Sequence, residues 1–112
     1  MNSRSDMCKT ELLSIHGDTI INGCPLCQSY YLWHQNLMLS LDQKAFQDLA
    51  HMMDHLYKRD QYLDFPDGNQ RVVLETPHAD IRFIFTKEEL ITFRKAMEEA
   101  RYMLEVYQLM RT

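Results

Sequence analysis

The run Thr19-Ile20-Ile21-Asn22-Gly23-Cys24-Pro25-Leu26-Cys27-Gln28-Ser29-Tyr30-Tyr31-Leu32-Trp33 decides the fold. Its beginning is β-branched and its end aromatic, the side chains that pack well on a pleated surface. Between them, Asn22, Gly23 and Pro25 are turn formers. The run reads as two strands, Thr19 to Asn22 and Gln28 to Trp33, folded back on each other at a cysteine turn.

Working outward toward the N-terminus, His16-Gly17-Asp18 supplies a second turn, so Cys8 to Ile15 becomes the strand that opens the chain. Leu13 and Ile15 fall on one face of that strand and Leu12 on the other. Residues 1–7 are polar and unpatterned and read as a tail, which leaves residues 8–112 as the folded domain. In the other direction, His34-Gln35-Asn36 breaks the third strand. Leu37, Leu39 and Leu41 then alternate with Met38 and Ser40 as a fourth.

Asp42 is placed to cap a helix over about 42–58, in which Phe46, Leu49, Met53 and Leu56 form one stripe. Phe65-Pro66-Asp67-Gly68-Asn69 is a loop by its turn residues. Arg71 to Glu75 and Ile81 to Phe85 make a hairpin. Thr86-Lys87-Glu88-Glu89 is a capping box that opens a last helix over 87–110. Leu90, Phe93, Met97, Ala100, Leu104 and Tyr107 recur along that helix at heptad-like spacing, as a core-facing stripe would. The whole predicts an α+β fold: an antiparallel sheet of about four to six strands with two amphipathic helices packed on one face.

A second apolar stripe, Ile91, Tyr102, Val106 and Leu109, runs along the other side of the last helix. One domain does not readily bury both sides of a terminal helix, so a homodimer through these residues is the expectation.

The chain has 112 residues, enough for one domain with its own core, and it is 46% hydrophobic and 25% charged, a globular balance. A formal net charge of −4 gives no electrostatic footprint for nucleic acid. No apolar run approaches the roughly 20 residues that span a bilayer, and the N-terminus lacks a secretory pattern. A cytoplasmic protein with reduced thiols is expected.

Cys24-Pro25-Leu26-Cys27 has the spacing of a zinc knuckle, in which two thiolates face one ion and turn amides donate to the sulfurs. Gln28 stands where Gly often sits to allow positive φ. A hairpin turning at Gly17 pairs residues whose numbers sum to about 34, which brings Cys8 near the knuckle. His16 is then roughly 26 Å from Cys8 along an extended strand at about 3.3 Å per residue, too far to share an ion. Folding back at the knuckle puts His34 beside His16, at the end away from the thiols. The metal constellation is therefore Cys8, Cys24 and Cys27, with His78 the candidate for an otherwise missing fourth ligand. Three reduced thiols packed as small hydrophobes are the competing reading, and a redox pair is a third.

His51 and His55 stand four apart on the solvated side of the first helix, and His16 and His34 suit strand ends. No nucleophile elbow, phosphate loop or dinucleotide fingerprint is present, so no catalytic residue is assigned. An enzyme would need a pocket joining His16, His34 and a loop carboxylate such as Asp64, Asp67 or Asp80.

The spacing His16-Gly17, Ile20, Cys24-x-x-Cys27, Tyr30 and Leu32, followed by a turn with Asn36 and a second leucine alternation, resembles a small family of uncharacterised bacterial proteins. That likeness covers about residues 8–41. Trp33-His34-Gln35-Asn36 departs from the aromatic-Gly-Asn turn of that family. The family carries no known activity, so the resemblance implies a standalone domain. Taken together, the residues predict a small cytoplasmic interaction or regulatory module with a structural zinc at the cysteine turn. The alternative is a metal-free homodimeric binding protein with a pocket between sheet and helices.

Overall fold

The structure, a computed structural model, describes residues 10–59 and 61–111. The tail assigned to residues 1–7 and the first cysteine, Cys8, lie outside them. Strands β1 (Glu11–His16), β2 (Thr19–Cys24), β3 (Ser29–His34) and β4 (Leu37–Asp42) form an antiparallel meander in the order β1-β2-β3-β4. Helix α1 (Gln43–Arg59) follows. Strands β5 (Leu63–Asp64), β6 (Gln70–Glu75) and β7 (Arg82–Phe85) make a second, three-stranded sheet, and α2 (Lys87–Arg111) ends the chain. The α+β class stands, but the strands divide into two sheets where the sequence suggested one, and β5 is a short strand that periodicity could not reveal.

Local chemistry accounts for the boundaries. Only Gly17 of the β1–β2 turn has positive φ (56°), the pattern of a type II′ hairpin with Gly at its first central position. Gln35 takes the same role in the β3–β4 turn at φ 57°, and its amide donates to the Asp18 carbonyl (3.1 Å), tying the two turns together. Asp42 Oδ1 accepts from the Ala45 amide at 2.8 Å and caps α1. The capping box forms reciprocally at α2: the Thr86 amide donates to Glu89 (2.9 Å) and the Glu89 amide to Thr86 Oγ1 (3.3 Å).

Pairing in the first hairpin differs from the expected register in an instructive way. Ser14 pairs with Ile21 and Ile15 with Ile20, whereas Leu12 pairs with Asn22, so Leu13 is an extra residue in a β-bulge. The bulge turns Leu13 and Ser14 both inward, at 2% and 3% exposure. It also moves Ile15 to the outer face beside Leu12, correcting the expectation that Ile15 shares a face with Leu13.

Both helices cover the same face of the four-stranded sheet. The core joins Ile21, Tyr30, Leu32 and Leu39 of the sheet to Phe46, Leu49 and Met53 of α1 and to Leu90, Phe93 and Met97 of α2. Val72, Leu74, Phe83 and Phe85 of the second sheet complete it. Burial of such side chains, at about 1.5–3 kcal/mol each, is what holds the two sheets against the helices. Ser14 Oγ donates to the Ala96 carbonyl (2.8 Å), a buried polar link between β1 and α2. On the outside of the helix pair, Asp54 of α1 lies 3.4 Å from Arg101 and 3.9 Å from Arg94 of α2, and the Arg94 guanidinium stacks over Tyr57 at 4.3 Å. The longer of those distances is beyond hydrogen-bond range, which agrees with the buried Arg94 Nε having no hydrogen-bond partner.

Candidate functional site

Three features of the described residues are candidates for a site: the cysteine turn, a histidine-bearing end of the sheet, and the open sheet face.

At the turn, Pro25 to Gln28 links β2 to β3. The Gln28 amide donates to the Cys24 carbonyl at 2.8 Å, and the Cys27 amide approaches Cys24 Sγ at 3.4 Å. Gln28 adopts φ 55°, the left-handed conformation for which Gly is the usual residue. The backbone is thus wound as a knuckle, with an amide aimed at the first sulfur. Cys24 is 2% exposed, and the Tyr30 phenol pKa is raised by burial and secondarily by Cys24. Cys27 is disulfide-bonded, which departs from the reduced thiols expected above. His78 does not join the turn. It is exposed on the loop between β6 and β7, and its Nε2 is 3.2 Å from the Ser40 carbonyl on β4, two strands away from Cys24. Among the described residues no group of three or more His, Cys, Asp or Glu is arranged to hold a metal ion.

The other end of the sheet gathers His16, Thr19 and His34. Thr19 pairs with both histidines, so they flank it on the covered face rather than lying side by side. His34 Nδ1 is 3.0 Å from Thr19 Oγ1, and its ring meets Phe83, Phe85 and Phe93 edge-on at 5.2–6.1 Å. Burial lowers the His34 pKa below its ordinary 6.5, against the opposing pull of Glu89 and Asp18. A cavity of about 170 Å³ opens beside it, lined also by Gly17, Glu88 and Thr92. His16 turns away to α2, with Nε2 3.2 Å from Glu99 Oε1, close enough for an ion pair but without hydrogen-bond alignment. Asp64, Asp67 and Asp80 do not line the cavity, so the loop carboxylates named from sequence do not meet the histidines. Asp67 instead holds Arg71 at 2.8 Å. His51 and His55 are exposed on α1, as expected.

The third feature is one the sequence reading missed. Ile15, Ile20, Trp33 and Met38 are consecutive partners across all four strands, in a single row on the face turned away from the helices. Ile15 is 53%, Trp33 46% and Met38 51% exposed. The adjoining row, Leu12, Asn22, Tyr31 and Ser40, carries Leu12 at 52%. The available signal was apolar residues at both parities of the β1–β4 strands, which marks a sheet with two apolar faces and only one set of helices.

On α2, Tyr102 and Leu109 are 64% and 73% exposed, while Ile91 and Val106 are half-buried. Among the described residues no helix is long and apolar enough to cross a membrane.

Compared with known proteins, the chain matches the model of a family of unknown function (DUF6686) over residues 7–110, and it belongs to that family. Membership of an uncharacterised family, expected from the first forty residues, therefore holds, and the match extends over nearly the whole chain. No curated protein and no solved structure matches it.

Proposed function

We propose that this member of a family of unknown function is a small interaction module whose recognition surface is the open face of its four-stranded sheet. The observation that carries the reading is the row Ile15–Ile20–Trp33–Met38, four apolar side chains in register with no helix of the described residues over them. Isolated apolar residues on a surface need no explanation, whereas contiguous ones mark contact sites. The α1–α2 layer packs on the opposite face of that sheet. The test compares capture of cellular partners by the parent and by Ile15→Lys and Met38→Lys variants, with circular dichroism confirming their fold. Partners lost with both variants support the reading. Identical capture by all three proteins refutes it.

A structural zinc at Cys8, Cys24 and Cys27 is a second reading. It is supported by the knuckle winding of the turn and by the Cys27 amide directed at Cys24 Sγ. A metal and a disulfide are alternative uses of the Cys27 sulfur, because only the thiolate ligates. The experiment is metal analysis of protein purified under reductant and without chelators. One zinc per chain, lost in Cys24→Ser with a fall in stability, is the expected result, and metal-free protein would sink the idea. A homodimer through Ile91, Tyr102, Val106 and Leu109 is supported by the exposure of Tyr102 and Leu109. Leu109→Lys, read by sedimentation, tests it.

A further inference from the structure

We propose that His51 and His55, four residues apart on α1, form a two-imidazole chelate for a late first-row divalent ion: Cu²⁺, Ni²⁺ or Zn²⁺. The site goes beyond the open sheet face and the cysteine turn and depends on neither.

Both imidazoles are available. The chain has five histidines. Three are engaged elsewhere: His16 lies 3.2 Å from Glu99, His34 Nδ1 lies 3.0 Å from Thr19 Oγ1, and His78 Nε2 lies 3.2 Å from the Ser40 carbonyl. Among the described residues no hydrogen bond, ion pair or ring contact engages His51 or His55, and both are exposed. Their ring nitrogens can meet an ion without giving up a contact within the protein.

The two rings also share one space. At about 3.6 residues per turn, positions four apart lie on the same side of a helix, with Cβ atoms about 5–6 Å apart. Two nitrogens bound to one ion at about 2.1 Å stand roughly 3 Å apart, a span that exposed rings close by rotating about their side-chain bonds. The tertiary structure adds what helical spacing cannot give. Both histidines line a single cavity of about 450 Å³ between α1 and β6, with Met52, Leu56 and Val73 on its apolar wall.

Donor type and charge select the ion. The two charged residues at this cavity, Arg59 and Glu75, are opposite in sign, and each is engaged with a neighbour: Arg59 with Gln61 at 3.2 Å and Glu75 with Arg82 at 2.8 Å. Imidazole donors without a set of oxygens suit Cu²⁺, Ni²⁺ and Zn²⁺, not Ca²⁺ or Mg²⁺. Two protein ligands make binding modest and reversible and leave further coordination positions to water or to a donor on an incoming molecule. A two-ligand site is consistent with there being, among the described residues, no group of three or more His, Cys, Asp or Glu that could hold a metal ion.

Ni²⁺ is the probe, because its paramagnetism broadens the NMR signals of nearby amides and so locates the ion. The full chain is titrated with Ni²⁺ by calorimetry and by amide NMR, with Ca²⁺ as the comparison. The expected result is one ion per chain at this site, with broadening centred on residues 51–59 and 73–75 and no such response to Ca²⁺. His51→Gln and His55→Gln each weaken that binding about ten-fold or more, because a single imidazole loses the chelate advantage. Gln favours the helix at least as well as His, and circular dichroism checks that both variants stay folded. His78→Gln leaves the affinity unchanged. Broadening confined to residues 24–28, with affinity equal in the parent and both variants, assigns the ion to the cysteine turn and overturns the proposal. Loss in only one of the two variants, an equal response to Ca²⁺, or no Ni²⁺ binding overturns it as well.

Discussion

Gly23→Ala is the sharpest test of how the cysteine turn is seated on the core. Gly23 lies on the covered face of β2, directly across from Tyr30, and its φ is not in the left-handed region, so it is required for space rather than torsion. A Cβ built there would stand 2.4 Å from Tyr30 Cδ1, 2.9 Å from its Cε1 and 3.0 Å from Leu13 Cδ1. Restoring ordinary contact at 3.4 Å means moving the ring by about 1 Å, since 3.4 − 2.4 = 1.0. The ring has nowhere to go: Tyr30 is 2% exposed and its centroid is 5.0 Å from that of Phe46, which is 1% exposed. Overpacking of this kind costs about 1–3 kcal/mol. Reduced entropy of the unfolded chain returns about 0.4–1 kcal/mol, so the net loss centres on about 1.3 kcal/mol. With an m-value of about 1.5 kcal/mol/M in urea, the unfolding midpoint falls by roughly 1 M. In a Tyr30→Leu background the same substitution should cost less, a coupling of at least about 0.5 kcal/mol. A midpoint equal to or above that of the parent, or strict additivity with Tyr30→Leu, would refute the close-packing argument.

Other consequences can be checked by the same denaturation measurements. Gln35→Gly and Gln28→Gly each relieve a left-handed backbone at a non-glycine residue and should raise stability by about 0.5–1 kcal/mol; a loss at either site argues against those turn geometries. Thr86→Ala removes half of the α2 capping box and should cost about 1 kcal/mol, with Thr86→Ser recovering most of it. The lowered pKa of His34 means that the unfolded chain binds its proton first as pH falls, so stability drops below about pH 6.5. His34→Gln should flatten that dependence, and an unchanged slope would show that His34 does not contribute.

Local signals in this chain were strong where one residue decides a local outcome. Asp42 and Thr86 announce the starts of α1 and α2 through hydrogen bonds within the next turn of helix, and both form. Gly17 and the Cys24–Cys27 turn mark chain reversals that the backbone makes where expected. The stripe Leu90, Phe93, Met97 and Ala100 is buried because helical spacing places those residues on one side whatever the helix packs on. Those readings depend on contacts a few residues apart.

What the tertiary structure alone decided depends on contacts between distant segments. One bulged residue, Leu13, moves Ile15 from the core face to the open one, and strand alternation cannot reveal such an insertion. The strands divide into two sheets, and the second meets the first through contacts of Phe83 and Phe85 of β7 with His34 and Phe93, residues far apart in the chain. Ile21, Leu32 and Leu39 on one face and Ile20, Trp33 and Met38 on the other are both apolar, so the sequence determined that the sheet has two faces able to bury surface. Which of them the helices cover is set by the paths of the connections and by core packing summed over the whole chain, and that choice leaves Ile15, Ile20, Trp33 and Met38 outside.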